Sequence, residues 1–141
     1  METNLSELKE LFHLKEQDIR SYSPLTLAYL GDGVYELVIR TILVQKGNCP
    51  VNRLHKRASS LVKASAQSAI MEVIEEELTP EELGVYRRGR NAHSPTMAKH
   101  ATMADYRRAT GFEALMGYLY LKEEYSRMVA LIRKGIGEDI L

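Results

Sequence analysis

Leu25-Thr-Leu-Ala-Tyr-Leu-Gly-Asp-Gly-Val-Tyr-Glu-Leu-Val-Ile39 is apolar almost all round at helical spacing. A helix of that kind is buried on most of its circumference. Ser23 and Pro24 give it a start, a capping hydroxyl followed by proline at the first helical position. One residue disagrees with its surroundings. Asp32 shares its face with Leu25, Ala28, Tyr29, Tyr35 and Ile39, and an ionised carboxylate in an apolar stripe is costly unless something pairs with it. Gly31 and Gly33 flank it. Each glycine inside a helix costs about 1 kcal/mol relative to alanine, so two around one aspartate point to close backbone packing or to room for a ligand.

The same disagreement recurs in Thr110-Gly-Phe-Glu-Ala-Leu-Met-Gly-Tyr-Leu-Tyr-Leu121. Glu113 lies between Phe112 and Leu115, with Met116, Gly117 and Tyr120 on its side and small residues a turn away at Ala109 and Gly117. A buried acid can cap a neighbouring helix or pair with an arginine. Two of them on two tightly packed helices can instead share a divalent cation. Mg²⁺ accepts a few carboxylate oxygens and keeps several waters, and an ion so held can activate water and stabilise charge on a phosphodiester. Glu36, one turn after Asp32, is a further candidate for that shell, as is Asp105.

Outward from these two segments the helical period continues. Leu27, Leu30, Val34, Val38 and Ile42 form one stripe, and Leu61, Val62, Ala69, Ile70, Val73 and Ile74 another. Thr79-Pro80 with Glu82 reads as a capping box, and Ser94-Pro95 as a further start. No segment alternates over strand length. The reading is an all-α domain of six or seven helices over residues 1–141, with spans near 4–19, 24–46, 51–78, 80–90, 95–121 (with a possible break at Gly111) and 123–135.

The chain has 141 residues, 45 % hydrophobic and 27 % charged, which fits one ordered domain and excludes a disordered one. The single cysteine, Cys49, excludes an internal disulfide and a thiolate zinc cluster. Residues 1–10 lack the layout of a secretory signal, and no apolar run is long enough to span a membrane. A soluble, cytoplasmic protein is expected.

Nineteen Lys and Arg balance nineteen Asp and Glu, which excludes a uniformly basic nucleic-acid binder but not a locally basic face. Residues 87–108 hold six bases (Arg87, Arg88, Arg90, Lys99, Arg107 and Arg108) against one acid, Asp105. Asn91, Ser94 and Thr96 add donors suited to phosphate, and His93 and His100 flank the loop. Arg87, Arg88, Arg90, Asn91, His93, Lys99 and His100 are the candidate phosphate contacts. A solvated loop with a few ion pairs is the plainer reading of the same stretch.

Leu30-Gly31-Asp32-Gly33-Val34 resembles the signature helix of the ribonuclease III catalytic domain. Phe112-Glu113-Ala114-Leu115-Met116-Gly117-Tyr118-Leu119 resembles that family's second acidic motif. The order and separation match, over roughly residues 20–135. The chain is short for a member with an added double-stranded-RNA-binding domain, as in the bacterial Mini-ribonuclease III subfamily. The resemblance implies an all-helical homodimer whose signature helices pack near a two-fold axis. It also implies a Mg²⁺-dependent endoribonuclease that cuts double-stranded RNA in large-subunit (23S) ribosomal RNA maturation, with a ribosomal protein as a possible partner. Asp32 and Glu113 match the catalytic, metal-associated acids. Four other acidic positions of full-length relatives fall here on Leu25, Ala28, Thr110 and, approximately, Ser65. The reduced set points to one Mg²⁺ per centre. It also leaves open a noncatalytic double-stranded-RNA-binding dimer, or a helical protein-interaction module.

Overall fold

The computed structural model describes residues 4–92 and 102–137. Among these there are seven α-helices and no strand: α1 Asn4–Leu11, α2 Pro24–Gln45, α3 Val51–Val62, α4 Ala64–Ile74, α5 Pro80–Asn91, α6 Met103–Leu121 and α7 Tyr125–Ile136. Single 3₁₀ turns at Ile19–Ser21 and Glu75–Glu77 complete the regular structure. None of these helices is long and apolar enough to cross a membrane.

The proline starts hold where they can be seen. Ser23 Oγ accepts from the Thr26 amide at 3.2 Å at the head of α2. At α5, Thr79 Oγ1 accepts from the Glu82 amide while Glu82 Oε1 accepts from the Thr79 amide, a reciprocal capping box. The expected start at Ser94-Pro95 lies outside the described residues. Within the described residues α6 begins at Met103, behind Thr102, whose hydroxyl accepts from the Asp105 amide.

Four expected boundaries change. α1 stops at Leu11 rather than running to 19, because the chain turns through His13 at a φ of 53°. The expected 51–78 helix is two helices, broken at Lys63, whose ψ of 158° is extended. No glycine or proline marks that break. It is stabilised by side chains of other helices, because the carbonyls freed at the end of α3 find donors there: Tyr35 Oη bonds Leu61 O at 2.8 Å and Gln67 Nε2 bonds Val62 O at 2.8 Å. The break also rotates the stripe expected there, leaving Val73 47 % exposed. The last helix starts at Tyr125, after Glu123 at a φ of 60°. The break considered at Gly111 does not occur. α6 runs straight through it, because Tyr86 occupies the space a side chain would need, 2.7 Å from a built Cβ.

α6 is the centre of the fold, in contact with α2, α4, α5 and α7, while α3 lies against α2. It is buried nearly all round, from Ala109 to Leu119. α2 is not. Its core face is Leu27, Ala28, Gly31, Tyr35, Val38, Ile39 and Leu43, and Tyr35 meets Phe112 edge-on at 5.0 Å. Its other face carries Tyr29 (84 % exposed), Leu37 and Val44 into solvent. The near-continuous apolar character of α2 thus reflects two separate faces, one in the core and one outside it.

Candidate active site

Two glycines set the geometry. A Cβ on Gly31 would lie 1.7 Å from Glu113 O, and one on Gly117 would lie 2.1 Å from Leu27 O. The backbones of α2 and α6 therefore touch where they cross, which only glycine permits. Of the two readings of the Gly31/Gly33 pair, Gly31 is close packing, whereas Gly33 faces open space, with nothing within 4 Å of its built Cβ.

That crossing sets Asp32, the residue after Gly31, beside Glu113. The two carboxyl groups are close enough for Asp32 to act on the ionisation of Glu113. Asp32 is exposed, not sunk in the apolar stripe as its neighbours in the sequence suggest, and Glu113 is partly buried. Burial raises the Glu113 carboxyl well above the ordinary carboxylate range. The charge of Asp32 and its hydrogen bond push the same way, and the Gln67 amide opposes them.

Gln67 is the residue the sequence reading missed. It comes from α4, is 2 % exposed, and donates from Nε2 to both Val62 O and Glu113 Oε2, the latter at 3.2 Å. Its Oε1 is buried without a hydrogen-bond partner among the described residues. The resemblance pointed near Ser65 for a third position of the site. Ser65 is exposed, and it is Gln67, two residues on, that reaches the acid. A glutamine inside the run Ala-Gln-Ser-Ala-Ile-Met was the available signal. Thr110, another position where relatives carry an acid, turns its hydroxyl to Tyr106 O at 3.0 Å.

The remaining acid candidates are not gathered in. Glu36 is bound by Arg40 at 2.8 Å, one turn along the same helix. Asp105 sits in the first turn of α6, about 12 Å along the axis from Glu113 at 1.5 Å per residue. Among the described residues no three His, Cys, Asp or Glu side chains cluster as a metal-binding group. The donor set is two carboxylates.

The basic candidates divide. Gly89 packs on Gly111 and Ala114, so the basic end of α5 runs beside the turn of α6 that carries Glu113. Arg87, Arg88 and Asn91 are exposed there. Arg90 lies over the Tyr86 ring at 5.6 Å and donates to Asn91 Oδ1 at 3.3 Å. Arg108 is held by Glu72 at 3.2 Å and Ser68 at 3.4 Å. His93, Lys99 and His100 lie outside the described residues.

Comparison with known proteins bears on this arrangement. The sequence profile of the Ribonuclease III domain matches residues 25–124. A Mini-ribonuclease 3 of Clostridium tetani is 47 % identical, covering 84 % of this chain and 79 % of the relative. One from a Thermoanaerobacter species is 46 % identical, covering 87 % of each. A crystal structure of a Fusobacterium nucleatum protein superposes with a TM-score of 0.78 at 34 % identity, over 86 % of this chain and 93 % of that one. The chain belongs to the ribonuclease III domain family, in its Mini-ribonuclease 3 branch.

Proposed function

We propose that this chain is a Mg²⁺-dependent endoribonuclease that cuts double-stranded RNA, working as a homodimer in the cytoplasm. The observation that carries the reading is the juxtaposition of Asp32 and Glu113 at the α2–α6 crossing, in a chain of this family.

The residues present fit Mg²⁺. The donors are oxygens only: two carboxylates that repel each other when both are ionised. Two carboxylates and a ring of waters suit Mg²⁺, whereas a structural zinc site needs four nitrogen or sulfur ligands. Asp32 and Glu113 would hold the ion. When bound it would supply an activated water as nucleophile and positive charge for the phosphodiester oxygens. The chain's own part is placement. Gly31 and Gly117 fix the spacing of the acids, Gln67 orients Glu113, and the exposed end of α5 offers Arg87, Arg88 and Asn91 to the RNA backbone. Hydrolysis that leaves the 3′ oxygen on one fragment yields 5′-phosphate and 3′-hydroxyl ends.

The homodimer rests on the outer face of α2. Tyr29 and Leu37 are exposed there, next to a groove of about 460 Å³ lined by Leu30, Gly33, Val34, Leu37, Tyr120 and Tyr125 among others. A second copy covering that face would place two centres on one duplex, one per strand. A ribosomal RNA precursor, in the maturation of 23S RNA, is the natural substrate we propose, with a ribosomal protein as a candidate partner for selecting the site.

The test is cleavage of an end-labelled RNA duplex, with matched single-stranded RNA and duplex DNA beside it, in Mg²⁺ and in EDTA. Cutting of duplex RNA alone, only with Mg²⁺, and with 5′-phosphate ends is expected. Binding of duplex RNA without cutting of any substrate would favour a noncatalytic dimer, the reading suited to a site with only two acids.

A further inference from the structure

The chain carries a second basic region, more one-sided than residues 87–108. From Leu37 to Met71 there are six bases and no acid. The bases are Arg40, Lys46, Arg53, Lys56, Arg57 and Lys63, and α3 or its flanks hold all but Arg40. On a helix of 3.6 residues per turn, Arg53, Lys56, Arg57, Ser60 and Lys63 fall on one side, opposite Leu54, Ala58 and Leu61, which pack inward. Lys46 at the end of α2 joins that side, lining a shallow recess with Gly47, Asn48, Arg53 and Arg57.

These bases differ in their partners from seven others. Across the described residues, Lys9, Arg20, Arg40, Arg108, Lys122, Arg127 and Lys134 each form an ion pair. Lys46, Arg53, Lys56, Arg57 and Lys63 have no acid partner among the described residues, and all but Arg57 are exposed. Five like charges kept together without acids repel one another. Such a cluster suits a surface that receives a polyanion.

Position decides which polyanion. The C-terminal end of α3 abuts the acid centre. Leu61 O is held by Tyr35, one turn from Asp32, and Val62 O by Gln67, which also holds Glu113. The basic side of α3 therefore starts beside the two carboxylates and runs away from them for about 15 Å from Lys63 to Arg53. A duplex whose phosphodiester lies at Asp32 and Glu113 has its further phosphates along such a line. Double-stranded RNA is gripped mainly through phosphates and 2′-hydroxyls rather than base edges.

We propose that the outer side of α3, with Lys46, is a phosphate-tracking rail that holds the RNA duplex beyond the cleavage point. It would supply grip in addition to that of α5. This rests on the duplex-RNA reading above and adds to it the surface and the residues.

The experiment uses the full chain and a labelled 30-base-pair RNA duplex in EDTA, with affinity measured across a salt series. The test variant is Arg53→Gln/Lys56→Gln/Arg57→Gln. Its control is Arg20→Gln/Lys122→Gln/Lys134→Gln, which removes the same charge from ion-paired sites elsewhere. The test variant is expected to lose at least ~10-fold in affinity at moderate salt, and its slope of log K against log salt to fall by about 2 to 3. The control should stay within about 2-fold. In Mg²⁺ the test variant should show a raised KM with kcat little changed. A second variant, Lys46→Gln/Lys63→Gln, should shift affinity the same way, and circular dichroism melts check that each variant folds. If wild type binds and cuts the duplex while the test variant matches it in affinity and slope, the rail is wrong and the nuclease reading stands. If wild type neither binds nor cuts duplex RNA, both fall.

Discussion

The acid centre and the basic side of α3 adjoin each other yet are built in opposite ways. Asp32 and Glu113 come from distant parts of the chain and meet because two helix backbones touch at Gly31 and Gly117. Gln67 arrives from a third helix to hold one of them. The α3 bases come from one helix and its flanks, touch no acid among the described residues, and need only a helix packed on its inner side. Chemistry here depends on backbone placement with no slack. Grip depends on charge presented at roughly the right place. The first should fail abruptly under small changes and the second should decline by degrees.

The largest expected effect is at Glu113. Glu113→Gln keeps the shape and the Gln67 contact but removes a carboxylate, and cleavage of duplex RNA should fall by about 10³-fold or more. Its melting temperature in EDTA should not drop. The ionised form of Glu113 is disfavoured by burial and by Asp32, and an amide relieves that repulsion. Thermal melts beside single-turnover cleavage read both quantities. An equal loss of stability would mean that Glu113 is part of the framework rather than of the chemistry.

Next comes Gly31→Ala. The new methyl meets Glu113 O, a backbone atom that cannot turn aside. Overpacking of this kind costs about 3 kcal/mol, visible as a lower denaturation midpoint, and cleavage should fall as the acids separate. If the variant melts like wild type, the two backbones are not in contact and the placement argument fails.

Paired and bare charges should also separate under acid. Glu82 is 5 % exposed and bonded at both oxygens by Arg127 and by its cap to Thr79. Arg127 holds its carboxyl below the ordinary range, with the Thr79 amide helping against burial. A carboxyl held low in the folded state stabilises it above its unfolded pKa, near 4.5. That stability is lost as pH falls through the folded value. Glu82→Gln should cost about 2 kcal/mol at pH 7 and flatten the loss of stability below pH ~4.5. Urea melts from pH 7 to 3 check this. Glutamines at Arg53, Lys56 and Arg57 should leave the same curve within about 0.5 kcal/mol of wild type.

The smallest effect is at Gly33, whose built Cβ meets nothing. Gly33→Ala should stabilise a protomer by up to about 1 kcal/mol through helix propensity. Against Gly31→Ala, two positions away along the helix, it isolates close approach from any general dislike of glycine.

The sequence carried these regions unequally. The starts of α2 and α5 were legible because Ser23-Pro24 and Thr79-Pro80-Glu82 write the cap into adjacent residues. The Lys63 break was not, because it depends on side-chain bonds that the local pattern does not announce, one of them from Tyr35, 26 residues from the carbonyl it holds. Asp32 and Glu113 stood out as acids in apolar runs, and their motifs resemble one family. That Asp32 is exposed while Glu113 is partly enclosed depends on which face of α2 packs, and an almost wholly apolar helix does not say. The bases of α3 were visible in the sequence but drew no attention, since they are spaced as an ordinary amphipathic helix. Their lack of partners needed the fold.

The most direct test of the central claim is Asp32→Asn, measured for binding and for single-turnover cleavage of the same labelled RNA duplex in Mg²⁺. The account predicts affinity within about 3-fold of wild type, because grip comes from α3 and α5, and no detectable cleavage. A variant that binds equally and still cuts at a rate near wild type would contradict it, since the chemistry would then not pass through the pair at the α2–α6 crossing.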